Sequence, residues 1–214
     1  MTEIVDEELA PIVALLCAYA GEAISRHQLL WALDARFARL AATTSESMIG
    51  QIRLAWWQDA LNDETGVKGR GEPLIDALRG IQAVPPVGLS AWLDGWEAMI
   101  GDIDLNAYAD GRGGGLFHSL AGEAEAPPWL IQAGAAWALW DLSGHVSDPV
   151  LAADAIERGR EKLLSASPSW PAAWRPMQIA YGLARQDILR GRAAPKYLTL
   201  GLYLRLLRVA LAAR

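Results

Sequence analysis

Residues 45–61 read SESMIGQIRLAWWQDAL, and the pattern of this stretch decides the fold class. Thr43 and Glu46 have the spacing of a capping box, which predicts that a helix starts near Ser45. Apolar residues then recur at steps of three and four positions, the period of a helix with one buried face. The predicted buried face consists of Ile49, Ile52, Trp56 and Ala60.

The composition of the 214-residue chain indicates an ordered helical globule. A hydrophobic fraction of 52% with 21% charged residues is typical of a folded domain, and the abundance of Ala and Leu favours helix. Strand signals are hard to find, and no repeat of roughly 20 to 50 residues recurs. We therefore expect one domain over residues 1–214, an all-α bundle of about eight or nine helices.

Helical periodicity and helix breakers divide the rest of the chain. Glycines at positions 111, 113, 114 and 115 weaken one helix and indicate close packing or a kink. They do not form a phosphate-binding loop, because no strand precedes them and no GKS or GKT follows. Besides the opening motif, helices are predicted over 8–24, 26–42, 73–82, 87–101, 105–120, 128–148, 150–165, 171–190 and 196–212.

The 10 tryptophans stand against only 2 phenylalanines, and two interpretations of them remain open. They fill the core with the ring nitrogen bonded to a partner, or some of them line an apolar cavity for a greasy ligand. Cys17 is the only cysteine, and its apolar neighbours predict a small buried side chain without a disulfide. The tryptophans at helical spacing are Trp92 with Trp96, Trp137 with Trp140, and Trp170 with Trp174.

The net charge of -6 is distributed unevenly. Residues 185–214 carry +6, so the remainder carries -12. The basic, leucine-rich segment, with its predicted helix 196–212, either contacts anionic lipid headgroups or packs on the bundle with its arginines in water. The acidic body and the lack of a nucleic-acid-reading module argue against nucleic acid as a partner.

The N-terminal apolar run does not predict a membrane span. Ala10 to Ala20 is shorter than the roughly 20 residues that a spanning helix needs. Acids rather than basic residues precede the run, unlike in a secretory signal. We expect a cytoplasmic protein, with peripheral membrane association as an open alternative.

Asp141, His145 and Asp148 form the most suggestive group for chemistry. Their spacing of i, i+4 and i+7 places two carboxylates and one imidazole on one helix face, a donor set that suits several divalent ions. A histidine near a helix C-terminus also interacts favourably with the helix dipole without any metal, so both interpretations stay open. No GxSxG or similar nucleophile signature accompanies the histidines.

The run LLWALDARFARLAATTSESMIGQIRLAWWQDAL, residues 29–61, resembles the squalene and phytoene synthase family. It is most similar to a divergent branch in which a phrase like MLGQIRLAWWRDAL follows the second helix. The similarity continues through residues 93–95, 108–110 and 134–148. It implies an all-helical isoprenoid synthase fold with a central cavity, where active members join two prenyl diphosphates using magnesium held by two aspartate-rich motifs.

The acids of those motifs are largely replaced in this chain. The first motif, DDxxD, falls on residues 38–42, where Ala38 and Ala42 stand and no aspartate is present. The second, QxxNxxRDxxxD, falls on Ala138, Asp141, Gly144 and His145, with Asp148 close to its last acid. Because a leaving diphosphate needs divalent ions to neutralise it, we expect a non-catalytic member without cofactors.

The resemblance implies three alternatives for function. The first is a protein that binds a lipid, an isoprenoid or a partner protein near a membrane, with assembly of respiratory complex I as the precedent in a non-catalytic relative. The second is a prenyl transferase with a degenerate site and Mg²⁺, and the third is a structural helical protein. The predicted ligand-binding residues are Arg36, Arg39, Arg53 and Tyr108.

Overall fold

The structure, a computed structural model, describes residues 9–43 and 46–212. These residues are all-helical, as predicted, and contain no strand. They form eleven α-helices, more than the eight or nine expected, and the predicted helix 105–120 is divided into two α-helices and a π-helical turn. The helices are α1 (Pro11–Cys17), α2 (Ile24–Thr43), α3 (Ser47–Leu61), α4 (Pro73–Gly80), α5 (Leu89–Glu97), α6 (Leu105–Tyr108), α7 (Gly115–Ala121), α8 (Pro128–His145), α9 (Pro149–Glu161), α10 (Arg175–Ile188) and α11 (Leu200–Ala212).

Helix α8 lies at the centre of the described fold. Its buried side chains come from all sides of the helix, which is typical of a helix surrounded by other elements. It packs against α7, α9 and α10, and against a π-helical turn at Ala109–Gly114. The apolar side chains buried in the described residues join into one cluster, to which Cys17 belongs as predicted.

Glycines let three backbones touch beside α8. A Cβ on Gly113 would overlap the backbone of Gly134 in α8, and a Cβ on Gly111 would lie 2.6 Å from the Cα of Gly95 in α5. Any larger residue would force these elements apart. The glycines at 111 and 113 therefore serve close packing, as predicted, and the kink takes the form of the π turn.

The buried face of α3 is not the predicted one. Ile52 and Trp56 are 61% and 46% exposed, Ile49 is exposed as well, and only Ala60 is buried as expected. The helix has apolar residues on both sides, so its periodicity could not decide which side packs against α2 and α5. The side chains that point inward with Ala60 are Leu54, Trp57 and Leu61.

The predicted capping box does not form. The Thr43 hydroxyl donates to the carbonyl oxygen of Arg39 at 2.7 Å and thereby closes the last turn of α2. Glu46 precedes α3 with an extended backbone and makes no side-chain cap. Helix α3 therefore begins at Ser47, two residues later than predicted.

Helix α11 covers one side of α10. Its inward residues, Leu202, Leu206, Val209 and Ala210, are buried. The Arg205 guanidinium donates to the carboxylate of Asp187 in α10 at 2.8 Å. Within residues 9–43 and 46–212, no helix combines the length and apolarity that a bilayer crossing requires.

Candidate functional site

The π turn places a single cation in the interior of the protein. Arg112 lies between Gly111 and Gly113, and its side chain is only 5% exposed. A π turn adds a residue to the helical repeat and is frequently found at functional sites. The small neighbours let the Arg112 backbone approach α5 and α8, so the guanidinium lies inside the bundle.

Asp34 in α2 is the main counter-ion of Arg112. Nη2 of Arg112 lies 2.7 Å from Oδ2 of Asp34, and Nε lies 3.3 Å from each carboxylate oxygen. The ring nitrogens of Trp92 and Trp96 also donate to Oδ1 of Asp34 at 2.9 Å each. The Asp34 carboxylate is therefore fully bonded although it lies in the core.

Two further groups complete this buried cluster. Nη1 of Arg112 lies 2.8 Å from Oδ2 of Asp141 and also donates to the hydroxyl of Tyr108. Burial alone lowers the pKa of Arg112, but the charges of the Asp34 and Asp141 carboxylates raise this pKa well above its ordinary value. The residues Asp34, Tyr108, Arg112 and Asp141 are called the Arg112 cluster below.

Aromatic rings enclose the Arg112 cluster. The Arg112 guanidinium carbon lies 4.5 Å from the ring centroid of Trp96 and 4.8 Å from that of Trp137. Such stacking favours a cation that has lost its water shell. Burial, more than any other effect, raises the pKa of Tyr108, so its hydroxyl keeps its proton at neutral pH.

Asp141, His145 and Asp148 do not lie on one helix as predicted. Helix α8 ends at His145, and Asp148 caps α9 by accepting from the backbone N–H of Val150 at 2.8 Å. His145 Nδ1 lies 2.8 Å from the backbone oxygen of Asp141, and the imidazole is exposed. The Asp141 carboxylate bonds Arg112 through Oδ2, and its Oδ1 lies 3.6 Å from Nδ1 of His145.

The donor set at these positions does not fit a magnesium site. Magnesium prefers oxygen ligands, mostly carboxylates and waters. The Asp141 carboxylate is bonded to a guanidinium, and Ala38, Ala42 and Ala138 supply no ligand atom. Among the described residues, no three His, Cys, Asp or Glu side chains come close enough to hold a metal ion.

Three of the predicted ligand-binding residues come together at the surface. Arg36, Arg39 and Arg53 line one pocket of about 300 Å³ between α2 and α3. Tyr108 does not line this pocket, since it is buried in the Arg112 cluster. The remaining lining residues of this α2–α3 pocket are Leu40, Thr43, Trp56 and Trp57.

The two tryptophans give the α2–α3 pocket an apolar wall. Trp57 is buried, and its ring meets the edge of Trp56 at a centroid distance of 5.3 Å. The Arg36 guanidinium carbon lies 5.9 Å from the Trp57 ring, and its Nη1 lies 3.4 Å from Oε1 of Glu72. The pocket thus combines three guanidinium groups, one nearby carboxylate and two indole rings.

Aromatic contacts connect the pocket to the Arg112 cluster. Phe37 lies between Trp57 at 5.7 Å and Trp92 at 5.5 Å, measured between ring centroids. Trp92 in turn donates to Asp34. Helix α2 therefore supplies a pocket residue, Arg36, and a cluster residue, Asp34, from opposite sides of the same turn.

The interpretation of the tryptophans as core fillers is confirmed for three of them. Trp92, Trp96 and Trp140 are buried and donate their ring N–H to a buried aspartate, as expected for core fillers. Trp56 and Trp57 line the α2–α3 pocket instead.

Arg112 and Asp34 were not predicted as site residues. Arg112 stands among glycines, where no periodicity shows which way it points. The available signal was Asp34, an acid that directly follows the apolar run of residues 29–33 and comes shortly before Phe37. A charge at such a position needs a buried partner, because burying it alone is very costly.

No protein-family model, curated protein or solved structure matches this chain.

Proposed function

We propose that this protein binds an anionic amphiphile, a lipid or isoprenoid with a phosphate or diphosphate head, without catalysing prenyl transfer. One observation carries the proposal: the guanidinium groups of Arg36, Arg39 and Arg53 line the same pocket as the indole rings of Trp56 and Trp57. The resemblance to the squalene and phytoene synthase family supports an isoprenoid as the ligand, and membership in that family is part of the proposal.

The arginines suit the head of such a ligand. A guanidinium group donates two parallel hydrogen bonds to phosphate oxygens and keeps its charge at any physiological pH. Glu72 lies beside Arg36, and Arg39 and Arg53 bring two further guanidinium groups to the lining of the α2–α3 pocket. A diphosphate, with several negative charges, gains more from this arrangement than a neutral alcohol does.

The outer side of α3 suits the tail. The pocket volume of about 300 Å³ is at the lower end of the range for ligand pockets and holds a head group with the start of a chain. Beyond Trp56, the exposed side chains of Ile52 and Met48 continue an apolar path towards the N-terminus of α3. The rest of the ligand's hydrocarbon tail would lie along this path.

The Arg112 cluster supports the non-catalytic part of the proposal. Asp141 stands at the Asn position of the second motif, and it already forms an ion pair with Arg112. Prenyl transfer with a degenerate site at Asp141, His145 and Asp148 would require this ion pair to open. An isoprenoid synthase-like central cavity and a part in the assembly of a respiratory complex follow from the resemblance alone and stay predictions.

Calorimetric titration with farnesyl diphosphate, farnesol, inorganic diphosphate and phosphatidic acid tests the binding proposal. We expect farnesyl diphosphate or phosphatidic acid to bind more tightly than farnesol or inorganic diphosphate, because head and tail both contribute. Arg53→Gln should weaken that binding about tenfold or more, since a hydrogen bond to a charged group contributes roughly 1.5–3 kcal/mol.

The matched control is Arg70→Gln, which removes an exposed arginine that does not line the pocket. It should leave the affinity unchanged. Equal losses in Arg53→Gln and Arg70→Gln, or no binding of either amphiphile, would refute the proposal.

Incubation with prenyl diphosphates and Mg²⁺ tests the absence of catalysis. We expect no release of diphosphate above the rate without protein. Metal-dependent release that disappears in Asp141→Ala and His145→Ala would establish the transferase alternative instead.

A further inference from the structure

Helix α11 is held on the bundle in a defined orientation. Leu202 and Leu206 are buried against the rest of the protein, and Arg205 is bonded to the buried Asp187 at 2.8 Å. On the same side, Nη2 of Arg175 donates to the carbonyl oxygen of Ala210 at 2.8 Å. These contacts determine which side chains of α11 point outward.

The outward side of α11 is also apolar. Leu200 is 74% exposed and Leu211 is 60% exposed, with Leu204 between them on the same side of the helix. Tyr197, just before the helix, is 80% exposed. A helix that packs apolar residues inward and presents leucines outward has a surface suited to a partner or a membrane.

Exposed cations lie close to these leucines in the sequence. Residues 188–212 contain no Asp or Glu, and of their five cations only Arg205 is bonded to the buried aspartate of α10. Arg190, Arg192, Lys196 and Arg208 are exposed. These four cations, together with Tyr197, Leu200, Leu204 and Leu211, are called the C-terminal surface below.

We infer that the C-terminal surface docks on a bilayer that contains anionic lipids. Leucines enter the boundary between headgroups and acyl chains, and the surrounding cations attract the lipid phosphates. Tyr197 suits the same boundary, where an aromatic ring meets an apolar region and its hydroxyl meets water. The chain is acidic as a whole, so the positive charge gathered here orients this side towards a negative surface.

This inference does not rest on the α2–α3 pocket, because none of the residues of the C-terminal surface lines that pocket. Binding of an amphiphile and docking on a membrane can therefore fail or succeed separately.

Flotation of the full-length protein with vesicles provides the test. We expect binding to vesicles of phosphatidylcholine mixed with phosphatidylglycerol, weaker binding at high salt, and little binding to phosphatidylcholine alone. Each cation near an anionic surface contributes about a fivefold gain in partition coefficient. The combined substitution of Arg190, Arg192 and Lys196 by Gln should therefore lower binding roughly a hundredfold.

Apolar variants complete the test. Leu200→Ser with Leu204→Ser should also reduce binding, whereas the control pair Val67→Ser with Val150→Ser, exposed outside the C-terminal surface, should not. Circular dichroism and thermal unfolding check that these exposed substitutions leave the fold intact. Hydrogen exchange should show new protection of residues 196–208 on anionic vesicles.

The inference would be overturned by equal binding to neutral and anionic vesicles, by no binding to either, or by equal losses in the α11 pair and in the Val67 and Val150 pair. Capture of residues 196–208 by a protein while vesicles leave their exchange unchanged would also overturn it.

Discussion

Arg112 and Asp34 form an ion pair of 2.7 Å in the core, although 78 positions separate them in the sequence. The pair joins the π turn to α2, and Asp141 of α8 holds the guanidinium from a third element. The buried carboxylate of Asp34 is thus paired with a cation of the same chain. This arrangement makes the stability of the fold depend on a single arginine.

Replacing this arginine should destabilise the protein strongly. Arg112→Met leaves Asp34 buried without its cation, a change that typically costs about 3–5 kcal/mol. Urea unfolding measures the loss. Adding Asp34→Asn to Arg112→Met should recover part of it, because the unpaired charge is then removed.

Arg158→Gln is the matched control, since it breaks an exposed ion pair with Asp154 and should cost less than about 1 kcal/mol. Equal losses in the Arg112 and Arg158 variants would contradict a core ion pair.

His27 should make the stability depend on pH. Burial and the neighbouring charge of Arg26 lower the pKa of His27 from 6.5 to about 4, against a backbone hydrogen bond to Leu120 that raises it. As the pH falls below about 6.5, His27 binds a proton in the unfolded chain, whereas in the folded chain it binds one only near pH 4. The free energy of unfolding is therefore highest above this window and falls by about 3 kcal/mol across it.

Chemical unfolding between pH 7 and pH 4 checks this dependence. His27→Gln should flatten the profile. A profile that keeps its slope in His27→Gln would assign the effect to another group.

The glycine contacts beside α8 should tolerate no side chain. In Gly113→Ala the new methyl group overlaps the backbone of Gly134, and the loss should be at least about 2 kcal/mol. Gly80→Ala in α4 is the control, because its methyl group meets no atom within 4 Å. The control should be neutral or stabilising by about 0.5–1 kcal/mol, and differential scanning calorimetry distinguishes the two.

The two pocket tryptophans should respond differently to truncation. Trp57→Ala empties a core position against Phe37 and should cost about 3–5 kcal/mol. Trp56→Ala removes a half-exposed ring, so it should cost less than about 1 kcal/mol yet weaken amphiphile binding. Unfolding curves and titrations on the same samples separate these effects; unchanged binding in Trp56→Ala would remove this residue from the site.

Helix α11 should loosen when its buried contact is broken. Arg205→Met leaves the carboxylate of Asp187 with one remaining donor, the ring N–H of Trp140 at 3.2 Å. We expect a loss of about 3 kcal/mol and faster proteolysis within 200–212. Arg208→Met, at an exposed position of the same helix, should change neither.

The order of helices could be predicted from the sequence, whereas their contacts could not. Pro73 starts α4 as predicted, and the tryptophans of α5 are buried with bonded ring nitrogens. The predicted buried face of α3 was wrong because apolar residues occur on both sides of this helix. Only the contacts with neighbouring helices decide which side is buried. The end of α8 at His145 was missed because Asp148 caps the next helix, a role that helical spacing does not reveal.

The site was predictable only where its residues are close in sequence. Arg36, Arg39 and Arg53 lie on consecutive helices, so their meeting in one pocket follows from a short connection between α2 and α3. Tyr108 was grouped with them but belongs with Arg112. A pairing such as Asp34 with Arg112 depends on the tertiary fold, which periodicity alone does not contain.

Where backbones touch directly, as at Gly111 with Gly95 and Gly113 with Gly134, no side chain stands between them that could change its rotamer. Helices α5 and α8 and the π turn must therefore move as one rigid body. Around the α2–α3 pocket, by contrast, long arginine and tryptophan side chains have several rotamers each. We expect side-chain motion to be greatest around this pocket. A ligand would then enter by rearranging surface side chains while the helix bundle stays closed.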